Sequence, residues 1–222
     1  MHVPSLFAQH DPVAIRSFIR RHSFATFTSV SANGDLAASH LPLLLDEEAG
    51  SQGTLIGHMA QANPQWQLLD GRPILAVFTG PHAYISPTWY AEPNTVPTWN
   101  YTAVHVYGTC RLIHDADELG GILQDTVTYY EGSMPEPWQF KPETDFARRL
   151  AAQVVGIRVE ISHWEAQWKL GQNHAASRRR LTIAALDAQS DAGAREIADF
   201  MRATLENGPD CLLGDVLRST PG

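Results

Sequence analysis

The first half of the chain alternates short apolar runs with turn signals, a pattern typical of antiparallel strands. Asn33-Gly34 is a dipeptide that favours the tight turn of a hairpin. Gly80-Pro81 interrupts an apolar run and is expected to end a strand. The predicted strands are Phe24–Val30, Leu36–Leu45, Thr54–His58, Ile74–Thr79, Ala83–Ser86, Thr98–Ile113 and Gly156–Trp164.

Helices are predicted where a capping side chain precedes a proline or where apolar residues recur every three to four positions. The predicted helices begin at Asp11-Pro12 and span Pro64–Leu69, Asp115–Glu131, Thr144–Val155 and Asp191–Asn207. Regular strand–helix–strand alternation is missing, which argues against a doubly wound sheet. We therefore predict a mainly β protein, a small antiparallel barrel with helical decoration.

The charge of the chain does not alter the predicted fold, but it limits the kinds of partner that the protein can bind. The 222 residues include 16 basic and 24 acidic side chains, a formal net charge of −8. An acidic chain lacks the general attraction for nucleic acid, so DNA binding is not expected from composition. Arg178–Arg180 is the densest basic run, and such a run is usually the solvated face of a helix.

The cysteine count and the hydropathy pattern indicate a compartment. Cys110 and Cys211 form no metal-binding or disulfide framework, which favours a reducing environment. The longest apolar stretch, around Leu41–Leu45, is too short for a bilayer, and the first residues do not resemble a signal peptide. A cytoplasmic protein without a membrane partner is expected.

Two segments carry candidate binding chemistry. Within Gly57–Trp66, a strand ends and a helix begins after Asn63, so free backbone N–H groups there can attract an anion. Within His163–Asn173, Lys169 supplies a positive charge, and Gln172 and Asn173 supply amides that suit a heterocycle edge. The alternatives are an ordinary strand–helix junction and a tryptophan-anchored strand that leads into a polar turn.

Ten histidines raise the question of a metal or haem site. A metal site needs three or four ligands that converge, and the chain has no His-Glu-x-x-His motif or comparable spacing. No metal site is therefore predicted. A haem-binding barrel is kept as a further alternative function.

Several longer segments together resemble one known family. They are ASHLPLLLD, GHMAQANPQW, FTGPHAYISPTWY, VPTWNYTAVHVYG and WKLGQN, and they resemble the PaiB-type FMN-binding negative transcriptional regulators in order from about Pro4 to Asn173. The resemblance implies a split β-barrel similar to that of pyridoxamine-phosphate oxidases and flavin reductases. It also implies a homodimer with FMN, a flavin nucleotide, at or near the subunit interface, and DNA as a partner through the resemblance alone.

The resemblance also implies roles for individual residues. Lys169 would contact the flavin phosphate with help from the amides after Asn63, His58 and Gln61 would line the phosphate end, and Trp99 and Tyr101 would wall the pocket. The predicted cofactor-binding residues are His40, His58, Gln61, Asn63, Trp99, Tyr101, Lys169, Gln172 and Asn173. No catalytic residue is predicted.

Three departures from the family pattern bear on phosphate affinity. Gln61 stands where the family usually has arginine, Gly171 where it has serine, and His174 where it has arginine. One lost arginine contact costs about 1.5–3 kcal/mol, which corresponds to roughly ten- to a hundredfold in affinity. FMN binding weaker than is usual for the family is therefore expected.

Two questions of organisation and activity stay open from the sequence. The predicted organisation is a split-barrel domain over residues 1–173, with inserted helices, and a helical extension over 174–222 that packs on the same domain. The predicted function is an FMN-binding protein of the PaiB type. The main alternative is an FMN-dependent oxidoreductase similar to flavin reductases, with no side chain that stands out as acid or base.

Overall fold

The computed structural model describes residues 1–90 and 92–206. Six antiparallel strands form a closed barrel in the order β1-β2-β3-β6-β5-β4. The strands are β1 (Phe24–Val30), β2 (Leu36–Asp46), β3 (Thr54–Ala60), β4 (Pro73–Ile85), β5 (Thr98–Ile113) and β6 (Val154–Lys169). The helices are α1 (Pro12–Arg21), α2 (Ala116–Glu131), α3 (Asp145–Ala151), α4 (Ala176–Asp187) and α5 (Ala192–Glu206).

The hairpin predicted at Asn33-Gly34 is present, with β1 and β2 paired from Phe24 opposite Pro42 to Val30 opposite Leu36. Gly34 has a backbone φ of 88°, a conformation that favours glycine. The mainly β architecture with helical decoration is confirmed. Several of the predicted boundaries, however, differ.

The break predicted at Gly80-Pro81 is wrong, because β4 is one continuous strand from Pro73 to Ile85. A side chain at position 80 would lie within 2.6 Å of Phe18 and would also overlap the hydroxyl of Thr102. Glycine is needed here for close packing rather than for a turn.

The fourth predicted helix and the last predicted strand also have different ends in the structure. The helix predicted over 144–155 is the shorter α3, with Thr144 as its N-cap. The strand predicted over Gly156–Trp164 extends from Val154 to Lys169, because its end is buried on both faces and loses the alternating pattern. The predicted end of the last helix at Asn207 and the second cysteine, Cys211, lie outside the described residues.

The chain divides into two compact units. The first comprises Met1–His22, Thr79–His105 and Glu165–Gly222, of which the structure describes residues to Glu206. The second comprises Ser23–Phe78 and Val106–Trp164. The boundary predicted at residue 173 stays a prediction.

The first unit is built around α1, α4 and α5. Phe18 and Ile19 of α1 are fully buried, and the Phe18 ring packs 5.0 Å from that of Trp168. Asp11 caps α1 by accepting from the Val13 N–H, as the cap-and-proline pattern predicts.

His22 at the end of α1 makes the fold sensitive to acid. Burial, together with the positive charge of Arg21, lowers the pKa of His22 to about 4. Between pH 6.5 and pH 4 the unfolded chain therefore binds a proton that the folded chain does not. The free energy of unfolding should fall with decreasing pH across this window, by at most about 1.4 kcal/mol per pH unit from this residue.

This expectation is checked by urea denaturation at pH 7, 6 and 5. His22→Phe keeps a ring beside Phe18, whose ring centroid lies 4.3 Å away, and should reduce the slope of stability against pH. His10→Gln, at an exposed position, should leave the wild-type dependence intact. Equal slopes in wild type and His22→Phe would contradict the assignment.

Candidate functional site

A cavity of about 270 Å³ lies within the first unit, beside the carboxyl end of β6 and helix α4. Three cationic side chains, Lys169, Arg178 and Arg179, contribute to its lining. Among the described residues that line it, none is acidic. We call this cavity the cationic pocket.

Lys169 is the last residue of β6, and its position is fixed by one short hydrogen bond. The Nζ atom donates to Oγ1 of Thr98 at 2.7 Å. A hydroxyl leaves the ammonium charge uncompensated, and no carboxylate in the described part of the chain forms an ion pair with it. The side chain can therefore hold an anion in the cationic pocket.

The turn after β6 is held by its own side chains. Gly171 has a φ of 74°, which favours glycine over the serine that the family pattern has here. Gln172 accepts from the Leu170 N–H at 2.8 Å and donates to the Trp168 carbonyl at 2.6 Å. Its amide is thus engaged within the turn, and Gln172 does not line the cationic pocket.

Asn173 and His174 follow this turn and both line the cationic pocket. The side-chain amide of Asn173 lies 3.3 Å from Nε2 of His174. Burial, together with the positive charge of Arg178, lowers the pKa of His174. The imidazole is therefore neutral at pH 7 and offers hydrogen bonds rather than charge.

Trp99 and Tyr101 do not belong to the cationic pocket. Successive side chains of a strand point to opposite faces, and on β5 it is Thr98 and Asn100 that line the pocket. Trp99 is 51% exposed and meets the edge of Tyr84 at 5.8 Å between ring centroids. Of the five predicted residues in the first unit, the structure brings only Lys169 and Asn173 together in this pocket.

The other predicted residues lie in the second unit. His40 is exposed on β2, with Nδ1 3.2 Å from the Thr26 hydroxyl and its ring 6.2 Å from that of Phe24. His58 is half-buried on β3, and burial lowers its pKa. Its Nδ1 has no hydrogen-bond partner among the described residues.

The amides after Asn63 are less available than the sequence predicted. Pro64–Leu68 is a 3-10 helix of five residues, and its first N–H group, on Gln65, already donates to the Asn63 side chain at 3.0 Å. The Asn63 amide nitrogen donates to Ser39 at 2.8 Å. Asn63 is thus a structural cap, and the predicted free anion site is absent at Gln65.

Gln61 is exposed and lines a second cavity, of about 400 Å³, within the second unit. Residues of α2 and α3 supply most of its other walls, and all of these except Arg148 are apolar. The one arginine there, Arg148, already pairs with Asp145 at 3.0 Å. Gln61 therefore lies beside an apolar cavity, and its role toward a phosphate stays a prediction.

Arg178 and Arg179 are the residues that the sequence interpretation missed. It took them for a solvated helix face, which is wrong for Arg179, because that residue is only 7% exposed. A signal was present: the buried residues of α4 recur at helical spacing. They are Arg179, Thr182, Ile183 and Leu186.

Comparison with known proteins identifies the family. The family model described as "Putative FMN-binding domain" matches residues 1–163. The chain belongs to this family. Protease synthase and sporulation protein PAI 2 of Bacillus subtilis is 32% identical over 209 residues, which cover 93% of this chain and 99% of the relative. An uncharacterized protein of Aspergillus fumigatus is 28% identical over 234 residues, which cover 82% and 89%.

Solved structures support the fold. A flavocytochrome from Azotobacter vinelandii superimposes with a TM-score of 0.56 at 15% identity, covering 75% of this chain and 72% of that one. An FAD and heme binding protein from Mycobacterium smegmatis gives a TM-score of 0.56 at 16% identity, covering 80% and 79%. The predicted split barrel is thereby confirmed, and FMN is the cofactor of this FMN-binding domain.

Two features are absent from residues 1–90 and 92–206. No helix there combines the length and the apolar character that a bilayer crossing requires. No three histidine, cysteine or acidic side chains gather there in an arrangement that would hold a metal ion.

Proposed function

We propose that the chain is an FMN-binding protein of the PaiB type and that its cationic pocket takes the phosphate end of the flavin. The observation that carries this proposal is a pocket with three cationic and no acidic lining residues among those described, in a chain of net charge −8. A phosphate monoester carries close to two negative charges. Its attraction to such a pocket is the expected electrostatic outcome.

The size and the donors of the pocket fit one end of FMN. About 270 Å³ lies just below the roughly 300–1,000 Å³ of pockets that enclose a whole small ligand. The pocket therefore suits the phosphate and part of the ribityl chain rather than the whole molecule. Lys169 would hold the phosphate, and Asn100 and Asn173 carry amides suited to ribityl hydroxyls.

Bound FMN supplies hydride and electron transfer chemistry, whereas the chain binds and orients it. His40, His58, Gln61, Asn63, Trp99, Tyr101 and Gln172 are kept as proposed cofactor-binding residues on the resemblance alone. A pocket that holds only part of FMN leaves the ring to be covered by other groups. This supports a homodimer, and the molar mass in solution, by light scattering, tests it.

A regulatory role is a further part of the proposal. The relative is named a protease synthase and sporulation protein, and the likeness over 93% of this chain supports a similar role here, in the cytoplasm. The net charge of −8 favours regulation through a partner or a small molecule over broad DNA contact. DNA affinity that falls steeply with salt would instead indicate many neutralised phosphates.

The proposal is tested by titrating FMN into the purified protein while flavin fluorescence is followed. Saturable quenching with one FMN per chain is expected, at micromolar to tens of micromolar concentrations because of the departures at Gln61 and His174. Flavin fluorescence that shows no saturable quenching would contradict the proposal. Anaerobic addition of NADH or NADPH distinguishes the regulator from the alternative, an FMN-dependent oxidoreductase. Rapid reduction of the flavin with turnover of an acceptor would indicate the oxidoreductase.

A further inference from the structure

Arg179 is a buried cation in need of a counter-ion. It is 7% exposed and lines the cationic pocket from α4. Its Nη2 atom donates to the Met201 carbonyl at 3.0 Å and to the Thr204 hydroxyl at 2.6 Å. The Nε atom is buried without a hydrogen-bond partner in the described part of the chain.

The charge of Arg179 is also unpaired. No carboxylate within residues 1–90 and 92–206 forms an ion pair with it. A buried guanidinium with only neutral partners is costly, and an anion that enters the pocket would relieve that cost.

Arg178, the preceding residue, makes two contacts. Its guanidinium lies over the Tyr90 ring, 3.8 Å from the ring centre. Its Nη1 atom is 3.4 Å from Oε2 of Glu92, whose side chain is 49% exposed. A long ion pair with an exposed carboxylate contributes little, so a better anion can replace it. The Nε atom of Arg178 has no partner among the described residues.

We propose that Arg178 and Arg179 recognise phosphate together with Lys169 in the cationic pocket, and that a phosphate monoester binds the two arginines by displacing Glu92 from Arg178. This inference rests on the proposed function, since FMN carries the monoester. Two guanidinium groups offer forked donors that match phosphate oxygens, as a lone lysine does not. In this chain, Gln61 and His174 stand where the family has arginine. Arg178 and Arg179 would supply the cations that are lost at those two positions.

Substitutions at Arg178, Arg179 and Glu92, with Arg180 as a control, provide matched variants. Arg178→Gln should raise the dissociation constant for FMN about tenfold or more. Arg179→Lys keeps the positive charge but loses the paired guanidinium donors, and it should raise the dissociation constant by a similar factor. Glu92→Gln removes the competing carboxylate and should lower the dissociation constant for FMN about threefold. Arg180→Gln, at an exposed position on the same helix, should match the wild type. Riboflavin, which lacks the phosphate, should bind all four variants as it binds the wild type.

Thermal unfolding with inorganic phosphate gives an independent readout. Phosphate should raise the melting temperature of the wild type and of Arg180→Gln, and should raise that of Arg178→Gln and Arg179→Lys less. FMN that binds the wild type and both arginine variants equally would overturn the inference and leave the proposed function standing. If no flavin binds the wild type, the proposed function fails. The inference is then overturned as well if inorganic phosphate raises the melting temperature of the wild type and of the arginine variants equally.

Discussion

Replacing Lys169 with methionine should weaken FMN binding by about ten- to a hundredfold and leave riboflavin binding unchanged. The reason is the loss of a charge-assisted hydrogen bond to the phosphate, worth about 1.5–3 kcal/mol. Lys169 has one hydrogen-bond partner among the described residues, Thr98, so its removal breaks no described ion pair. The measurement is the dissociation constant of each flavin by fluorescence quenching.

The chain offers a matched control for this substitution, since Lys141 is the other of its two lysines and is exposed. Lys141→Met should bind FMN as tightly as the wild type. Circular dichroism should show that both variants are folded at the temperature of the titration. If both lysine variants lose FMN to the same degree, general electrostatics rather than a phosphate contact explains the loss.

The largest expected effect on stability comes from a single methyl group at position 108. Gly108 lies on β5, and an added Cβ would overlap the Glu160 carbonyl and lie 2.6 Å from Cγ1 of Val159. Both residues belong to β6, and the Glu160 carbonyl is backbone, which does not move away as a flexible side chain does. Gly108→Ala should therefore lower the free energy of unfolding by about 2–4 kcal/mol.

Urea denaturation checks this value, with Gly121→Ala as the control. Gly121 lies in α2 with nothing within 4 Å of its added Cβ, so alanine there should stabilise the helix by about 0.5–1 kcal/mol. If Gly108→Ala leaves the free energy of unfolding unchanged, β5 and β6 are farther apart than the structure places them.

Local pattern was enough to predict most of the barrel. Alternation and turn chemistry identified β1, β2 and β5, because each strand has one buried face and a polar turn beside it. The pattern was misleading where a residue serves a tertiary purpose. Gly80 resembles a strand breaker in sequence, yet it is required by the close approach of Phe18, which is 62 residues away along the chain.

The candidate site was predictable only in part, for a similar reason. Lys169 and Asn173 were identified because the segment that carries them is short and chemically unusual. Arg179 was missed because a run of three arginines indicates a solvated face, and only the spacing of Thr182 and Leu186 shows which arginine is turned inward. Asn63 has the sequence of a helix start, but its side chain satisfies the amide that was expected to be free.

The central claim is that the FMN phosphate lies in the cationic pocket, and a crystal structure of the protein with FMN tests it most directly. The expected result is phosphate density about 3 Å from Nζ of Lys169, with Arg178 turned from Glu92 toward it. Phosphate density that none of Lys169, Arg178 and Arg179 contacts would contradict the account.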